Sequence, residues 1–293
     1  MSRIAYVNGH YVPHAGASVH VEDRGYQFAD GIYEVCAVWG GLLIDETRHL
    51  DRLERSLREL RIALPIARAG LAFVMREVVA RNAIHHGIVY LQVTRGVARR
   101  DHPFPANAKP ALVVTARAIP EGRVEAAIAK GVAVISVPDN RWGRCDIKSV
   151  ALLPNVLAKQ SAREQGAYEA WLTDAEGFVT EGSSTNAWIV DQAGKIVTRS
   201  LTANILPGVT RRTIIGLGSE LNAVIEERPF TIAEAQKARE AFITAASAAL
   251  IPVISIDGVV IGNGAPGPMA ITIRSAYRAR AIAEASSLHW TKA

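Results

Sequence analysis

Along this chain the hydrophobic period changes often and never settles into a repeat, and this limits the fold more than any other feature of the sequence. Period-two runs that read as strands occupy residues 3–7, 33–39 and 42–44, with Asn8-Gly9 and Gly40-Gly41 as tight turns. Residues 47–62 switch to helical spacing, with Leu50, Leu53, Leu57 and Leu60 on one face. A second helix is predicted over about 71–86, with Gly87 as the glycine that ends it. Strands are predicted at 88–94 and 111–118, after which Ile119-Pro120-Glu121-Gly122 punctuates the chain. The second part is richer in strands, at 132–137, 169–173, 185–190, 196–198, 242–244, 253–256 and 259–261. Helices are predicted there at 150–165, 209–220 and 268–285, and Thr231-Ile-Ala-Glu234 reads as a capping box. No regular strand–helix–strand beat runs through the chain, so a mixed α+β class is expected rather than a doubly wound parallel sheet. The expected division is an N-terminal α/β domain over 1–118, a linker over 119–124 and a barrel-like C-terminal α/β domain over 125–293.

The length of 293 residues suits one long domain or two modest ones. Hydrophobic residues make up 49% and charged residues 21%, which excludes overall disorder. No apolar run reaches the roughly 18–20 residues of a membrane-spanning helix, and the first residues lack the apolar core of a secretory signal. The two cysteines, Cys36 and Cys145, cannot build a disulfide framework, so free thiols and a cytoplasmic location are expected. Of the 33 basic side chains only seven are lysine. The densest arginine cluster, Arg52, Arg55, Arg58 and Arg61, alternates with Asp51, Glu54 and Glu59 and reads as a salt-bridged helix face. Neither a nucleic-acid nor a membrane partner is expected; arginine sites for small anions remain open.

Four segments hold groups with chemical potential. In Leu206-Pro-Gly208-Val209-Thr210-Arg, a Pro-Gly pair precedes a helix whose first N–H groups, with the Thr210 hydroxyl, make a phosphate cradle. The alternative is a plain turn with a capping threonine. Lys148, in Asp146-Ile-Lys148-Ser, lies between a strand and an apolar helix, where desolvation favours a neutral, nucleophilic amine. The alternative is a surface lysine with its stem packed down. Glu181, in Thr180-Glu181-Gly182-Ser183-Ser184-Thr185-Asn186, suits pairing with a protonated ring nitrogen, or is an exposed turn acid. Arg100 and His102, in a proline-flanked loop after a strand, suit a carboxylate clamp, or belong to a flexible surface loop. Zinc-peptidase and serine-elbow patterns are absent, and no metal site is expected. Cys145 reads as a buried structural thiol.

Taken in order, these pieces are more specific than any one of them. The run Arg24-Gly-Tyr-Gln-Phe-Ala-Asp30-Gly31-Ile-Tyr33-Glu34-Val, then His49-Leu-Asp-Arg52-Leu, Arg100-x-His102, Asp146-Ile-Lys148-Ser, Thr180-Glu181-Gly-Ser-Ser-Thr-Asn186 and Leu206-Pro-Gly-Val-Thr210-Arg resembles the class IV, fold-type IV, pyridoxal 5'-phosphate (PLP) aminotransferases. The resemblance spans about residues 3–262 and is strongest to the D-amino-acid transaminases, through the first motif and Arg100-x-His102. It implies two α/β domains with PLP in the cleft. Lys148 would then hold PLP as a Schiff base and shuttle the proton between substrate Cα and the cofactor. Glu181 would pair with the pyridinium nitrogen, and Arg52 with the Val209 and Thr210 N–H groups would grip the phosphate. Leu206 would buttress the ring, and Tyr33, Arg100 and His102 would trap the substrate α-carboxylate. In this family the trap loop serves the neighbouring subunit, so a homodimer is implied.

The implied activity is a ping-pong D-amino-acid:2-oxo-acid aminotransferase of the D-alanine/D-glutamate type, acting on small amino acids and 2-oxo acids. A branched-chain L-aminotransferase and an aminodeoxychorismate lyase are the alternatives on the same fold, and an inactive PLP-binding protein is a third. Ala246 stands where the family offers a hydroxyl to the phosphate, leaving a backbone N–H and implying weaker cofactor retention. Ala37 is small where relatives place a longer side chain, which leaves side-chain preference open.

Overall fold

A computed structural model describes residues 3–287. The outer limits of the expected domains, residues 1 and 293, lie outside the described residues. The chain divides into two units. The first holds the chain up to Pro120, the short segment Ile147–Ala151 and the end of the last helix from Ile282; the second holds Glu121–Asp146 and Leu152–Ala281.

The first unit contains β1 (Ile4–Val7), β2 (His10–Pro13), α1 (Arg24–Phe28), β3 (Gly31–Trp39), β4 (Leu42–Leu43), α2 (Glu46–Glu59), α3 (Arg68–Arg81), β5 (His86–Thr94) and β6 (Ala111–Ala118). Its six strands form one antiparallel sheet in the order β2-β1-β6-β5-β3-β4. Alternation puts successive residues on opposite faces. Ile32, Cys36 and Val38 of β3, with Val89, Leu91 and Val93 of β5, are buried against Leu50, Leu53 and Leu57 of α2 and Leu71, Met75 and Val78 of α3. Tyr33, Val35, Tyr90 and Gln92 lie on the other face and stay half-buried.

Two expectations need correction here. The helix predicted to run to residue 86 stops at Arg81, and Gly87 lies inside β5. Asn82 ends it: its Nδ2 donates to the Val78 carbonyl at 2.7 Å and the Ile4 carbonyl at 2.9 Å, while its Oδ1 accepts from the Ile4 N–H. Ala83 then takes the left-handed φ of 51° that a helix-ending glycine commonly adopts. Gly87 is needed for space, because a Cβ there would lie 2.2 Å from the Arg117 carbonyl oxygen of the neighbouring strand. The expected linker is likewise short, since Glu121 already opens a helix of Ala-rich, strongly helix-forming sequence.

The second unit contains α4 (Glu121–Lys130), β7 (Val132–Pro138), α5 (Leu153–Glu164), β8 (Glu169–Thr173), β9 (Val179–Gly182), β10 (Asn186–Val190), β11 (Ile196–Thr198), α6 (Val209–Leu217), β12 (Ile225–Glu227), α7 (Ile232–Gln236), β13 (Glu240–Ala245), β14 (Ala249–Ile256), β15 (Val259–Val260) and α8 (Pro268–Ser287). Eight strands pair in the order β12-β11-β10-β13-β14-β7-β8-β9, with β15 on β14. The β7–β8, β7–β14 and β11–β12 pairs are parallel and the others antiparallel, so the sheet is mixed, as the irregular beat of the sequence leads one to expect. Trp171, Phe230, Ile189, Ile243 and Ile256 centre its core. Thr231 caps α7 by accepting from the Glu234 N–H at 3.1 Å, as the capping box predicts. The end of α8 belongs to the first unit, where Arg48 of α2 pairs with Glu284.

Gly87→Ala is expected to destabilise the protein by about 1–3 kcal/mol, the range for an overpacked methyl. A helix-ending glycine would show no such clash, so an unchanged urea midpoint would contradict the β5 assignment.

Candidate active site

In the first unit the chemistry gathers at the start of β3. β4 covers only Val38 and Trp39 of one strand edge. Residues 147–150 take the rest: the Tyr33 N–H donates to the Lys148 carbonyl at 3.0 Å, the Val150 N–H donates to the Gly31 carbonyl at 3.1 Å, and Ile32 bridges Ser149. Ile147 is buried in the sheet–helix core, and the Lys148 N–H reaches Ser56 Oγ of α2 at 3.4 Å. Lys148 is half-buried, and its Nζ sits 4.1 Å from the centroid of the Tyr33 ring. Tyr33 stacks on Tyr90 with centroids 5.7 Å apart. The Tyr90 hydroxyl donates to Gln92 Oε1 at 2.6 Å, and burial followed by the Tyr33 phenol pushes its pKa up to about 12. Two predicted site residues, Lys148 and Tyr33, thus come together, and Tyr90 joins them unpredicted.

The next residue, Glu34, points to the opposite face. Its carboxylate binds Arg52 through Nε at 2.7 Å and Nη2 at 2.8 Å, and His49 Nδ1 at 2.8 Å. All three residues are buried. Burial pushes the Glu34 pKa up, but the Arg52 charge, its hydrogen bonds and those of His49 outweigh this and bring it down to about 2. Arg52, predicted for the cofactor phosphate, therefore has two nitrogens committed to Glu34. The signal was available in the sequence: an acid at an inward position of a strand, with Ile32 and Cys36 as its same-face neighbours, needs a buried partner.

Arg100 and His102 follow β5 in an exposed segment. The Arg100 guanidinium lies 5.0 Å from the centroid of Phe28 and the His102 ring 5.6 Å.

In the second unit Glu181 lies on β9 and is buried, not in an exposed turn. Its carboxylate accepts from Asn186 Nδ2 at 3.0 Å and from the Leu206 N–H at 3.2 Å, and it pairs with Arg141 Nη1. Arg141 is in turn held by Asp139 at 2.7 Å and donates to the Asn204 carbonyl at 3.1 Å. Burial alone would lower the Arg141 pKa, but Asp139 and Glu181 raise it, so the guanidinium stays charged beside Glu181. Nothing in the spacing of the sequence marks Arg141, which lies forty residues from Glu181 and meets it only through the fold.

The Leu206 carbonyl accepts from Asn186 at 3.2 Å, which ties the loop ahead of α6 to β10. Gly208 precedes the helix with no side-chain cap, and a Cβ on it would lie 2.1 Å from Asn186 Oδ1. Thr210 is buried, and its Oγ1 has no hydrogen-bond partner among the described residues. An uncapped helix start beside a buried, unpartnered hydroxyl is a group of donors aimed at an anion. Val209 is buried in the same turn. Ala246 lies in the turn between β13 and β14, and nearby Thr244 has its hydroxyl accepting from Trp188 Nε1 at 2.9 Å. Within the second unit the start of α6 offers donors suited to the phosphate of PLP, and Glu181 a carboxylate suited to its ring nitrogen.

Cys145 is buried with its thiol donating to the Trp142 carbonyl at 3.0 Å, and burial raises its pKa to about 11. Cys36 is fully buried, and burial followed by Glu34 holds its thiol well above the ordinary range. Neither is a reactive thiolate.

With this geometry in hand, likeness to known proteins defines the class. The family model for amino-transferase class IV matches residues 31–256, and the chain belongs to that family; it is an aminotransferase. Among individual relatives it is 42% identical to the D-alanine aminotransferase of Bacillus licheniformis, over 94% of this chain and 96% of that one. It is 37% identical to the D-alanine aminotransferase of Listeria monocytogenes, over 98% and 99%. Among solved structures it resembles the branched-chain amino acid aminotransferase of Escherichia coli with a TM-score of 0.88, 23% identity and coverage of 96% and 95%. It also resembles a branched-chain amino acid aminotransferase from T.th., solved with pyridoxamine 5'-phosphate, with a TM-score of 0.87, 26% identity and coverage of 95% and 93%.

The Glu34 pKa lies below its ordinary 4.5, so the unfolded chain binds the proton first as pH falls. This contribution to stability, roughly 3 kcal/mol, is complete above about pH 4.5 and lost as pH falls through about 2. Glu34→Gln is expected to cost about 3–5 kcal/mol at neutral pH by stranding Arg52, and to flatten stability between pH 4.5 and 2. Urea unfolding of both proteins across that range checks it.

Proposed function

We propose that this class IV aminotransferase exchanges amino groups between D-amino acids of the D-alanine and D-glutamate type and 2-oxo acids, with PLP as cofactor. The observation that carries the reading is the Lys148 amine poised on Tyr33, in a chain 42% identical to a D-alanine aminotransferase. When bound, PLP supplies an aldehyde that condenses with amines and a ring that accepts the electron pair released at the substrate Cα. Lys148 Nζ would hold the cofactor covalently and, as a free amine, would carry a proton between the substrate Cα and the cofactor. Glu181, paired with Arg141, would lie against the ring nitrogen and favour its protonated form. Thr210 Oγ1 and the first N–H groups of α6 bind the phosphate, with Arg52 adding charge and Leu206 packing on the ring.

Tyr33, Arg100 and His102 take the α-carboxylate, which fixes the face of Cα presented to the lysine. A branched-chain L-aminotransferase reading draws on the structural neighbours, but at 23% identity the Escherichia coli structure speaks for the fold alone. We infer a homodimer in which the exposed Arg100–His102 segment serves the neighbouring subunit, and a cytoplasmic enzyme, consistent with two buried, unpaired thiols. Among the described residues no helix is long and apolar enough to cross a membrane.

The purified enzyme is expected to be yellow, to retain the colour on Lys148 after borohydride, and to form pyruvate and D-glutamate from D-alanine and 2-oxoglutarate. L-leucine consumed faster than D-alanine would overturn the stereochemical assignment, and pyruvate released from aminodeoxychorismate would point to the lyase. Lys148→Ala should abolish turnover; a retained rate removes it as the base. Ala246→Ser should slow loss of PLP on dialysis by adding a hydroxyl donor, worth about 0.5–1.5 kcal/mol.

A further inference from the structure

An exposed loop has no intrinsic reason to hold a guanidinium and an imidazole in fixed places, yet the segment carrying Arg100 and His102 is anchored from below. Arg24 Nη1 donates to the Asp101 carbonyl at 2.5 Å, and Nη2 donates to the His102 carbonyl at 3.2 Å. Arg24 Nε donates to Asp30 Oδ2 at 2.8 Å. The same carboxylate accepts from Arg95 at 2.7 and 3.0 Å, and Arg95 also donates to the Leu60 carbonyl at 2.8 Å and the Arg61 carbonyl at 3.1 Å. The Arg95 guanidinium lies 3.6 Å from the centroid of Phe104, the far end of the segment. Phe28 meets Arg24 at 4.7 Å and Arg100 at 5.0 Å.

The side chains of this Arg24–Asp30–Arg95 triad are only 4, 10 and 8% exposed. Burial raises the Asp30 pKa, but the two arginines bring it below its ordinary value, so the triad carries its charges. Desolvating two guanidiniums costs several kcal/mol per ion before pairing, which a simple connection between β5 and β6 does not require. Arg24 also grips the backbone of the segment and leaves its side chains for a ligand. A planar fork that bonds one carboxylate and two carbonyls at once is a task for arginine and not lysine.

We propose that Arg24, fixed by Asp30 against Arg95, is a positioning residue that sets Arg100 and His102 for the substrate carboxylate. The inference rests on the carboxylate role proposed above for those two residues. Arg24 acts through them and touches no substrate itself.

The test compares Arg24→Met, Arg24→Lys and Asp30→Asn holoenzymes with wild type, each also in an Arg100→Ala background. Readouts are kcat and KM for D-alanine, the Kd of unreactive propionate by titration, PLP content and melting temperature. Arg24→Met should raise KM and the propionate Kd about tenfold or more, the scale of a lost charge-assisted contact, with kcat changed by less than about threefold. PLP content should be unchanged, and Arg24→Lys should recover only part of the loss. In the Arg100→Ala background the further loss should be clearly smaller, since the two act in series. An equal loss in both backgrounds, or unchanged KM and propionate affinity in Arg24→Met, overturns the inference. If Arg100→Ala itself leaves KM and propionate affinity unchanged, the carboxylate role fails first and the inference with it. Should Arg24→Met not fold, Asp30→Asn, of nearly equal size, decides by the same comparisons.

Discussion

The pairing of residues 147–150 with the open edge of β3 is the interaction on which the first unit's chemistry depends. Three backbone contacts to Gly31, Ile32 and Tyr33 place Lys148 beside Tyr33, and Ile147 anchors the segment in the core. Strand alternation does the rest. Tyr33 faces the lysine, and Glu34, one residue on, faces the helices and holds Arg52 and His49. Arg52 and His49 lie on α2, whose Ser56 also meets the Lys148 N–H. One strand therefore sets both the Lys148 amine and the helix that supports it.

The charged groups fall into two kinds. Glu34 with Arg52, Asp30 with Arg24 and Arg95, and Glu181 with Arg141 are pairs held largely away from solvent, and the arginines bring the Glu34 and Asp30 pKa values below their ordinary range. The start of α6 is the opposite case, with an uncapped helix end and a buried threonine hydroxyl that finds no partner among the described residues. A protein stores such unpaired donors at a cost, and a bound anion relieves it. The contrast separates groups that position from groups that bind.

Much of this was legible in the sequence because the informative residues are local. The helical face of Leu50, Leu53 and Leu57, the strands at 111–118 and 169–173, and the capping box at Thr231 follow from spacing alone. Lys148, Glu181, Thr210 and Arg100 stand out in the sequence because ordered motifs flank them. What escaped depends on tertiary contact. Arg141 meets Glu181 across the fold, Asn82 ends α3 by bonding to β1, and β9 is too short to show a period. Gly87 misled because helix-ending glycines and close-packed strand glycines look alike until the neighbouring strand is placed.

The return of Ile147–Ala151 and of the end of α8 to the first unit also bears on how the chain acquires its shape during synthesis. When Ala118 has emerged from the ribosome, all six strands of the first sheet are available, but the β3 edge beyond β4 still lacks its partner. It stays so while the next stretch of chain is made, and Arg48 waits longer still for Glu284. An unpaired strand edge is a template for wrong association. The nascent N-terminal region is therefore exposed to mispairing until Lys148 itself arrives, so the lysine proposed as the attachment point belongs to the segment that closes the sheet.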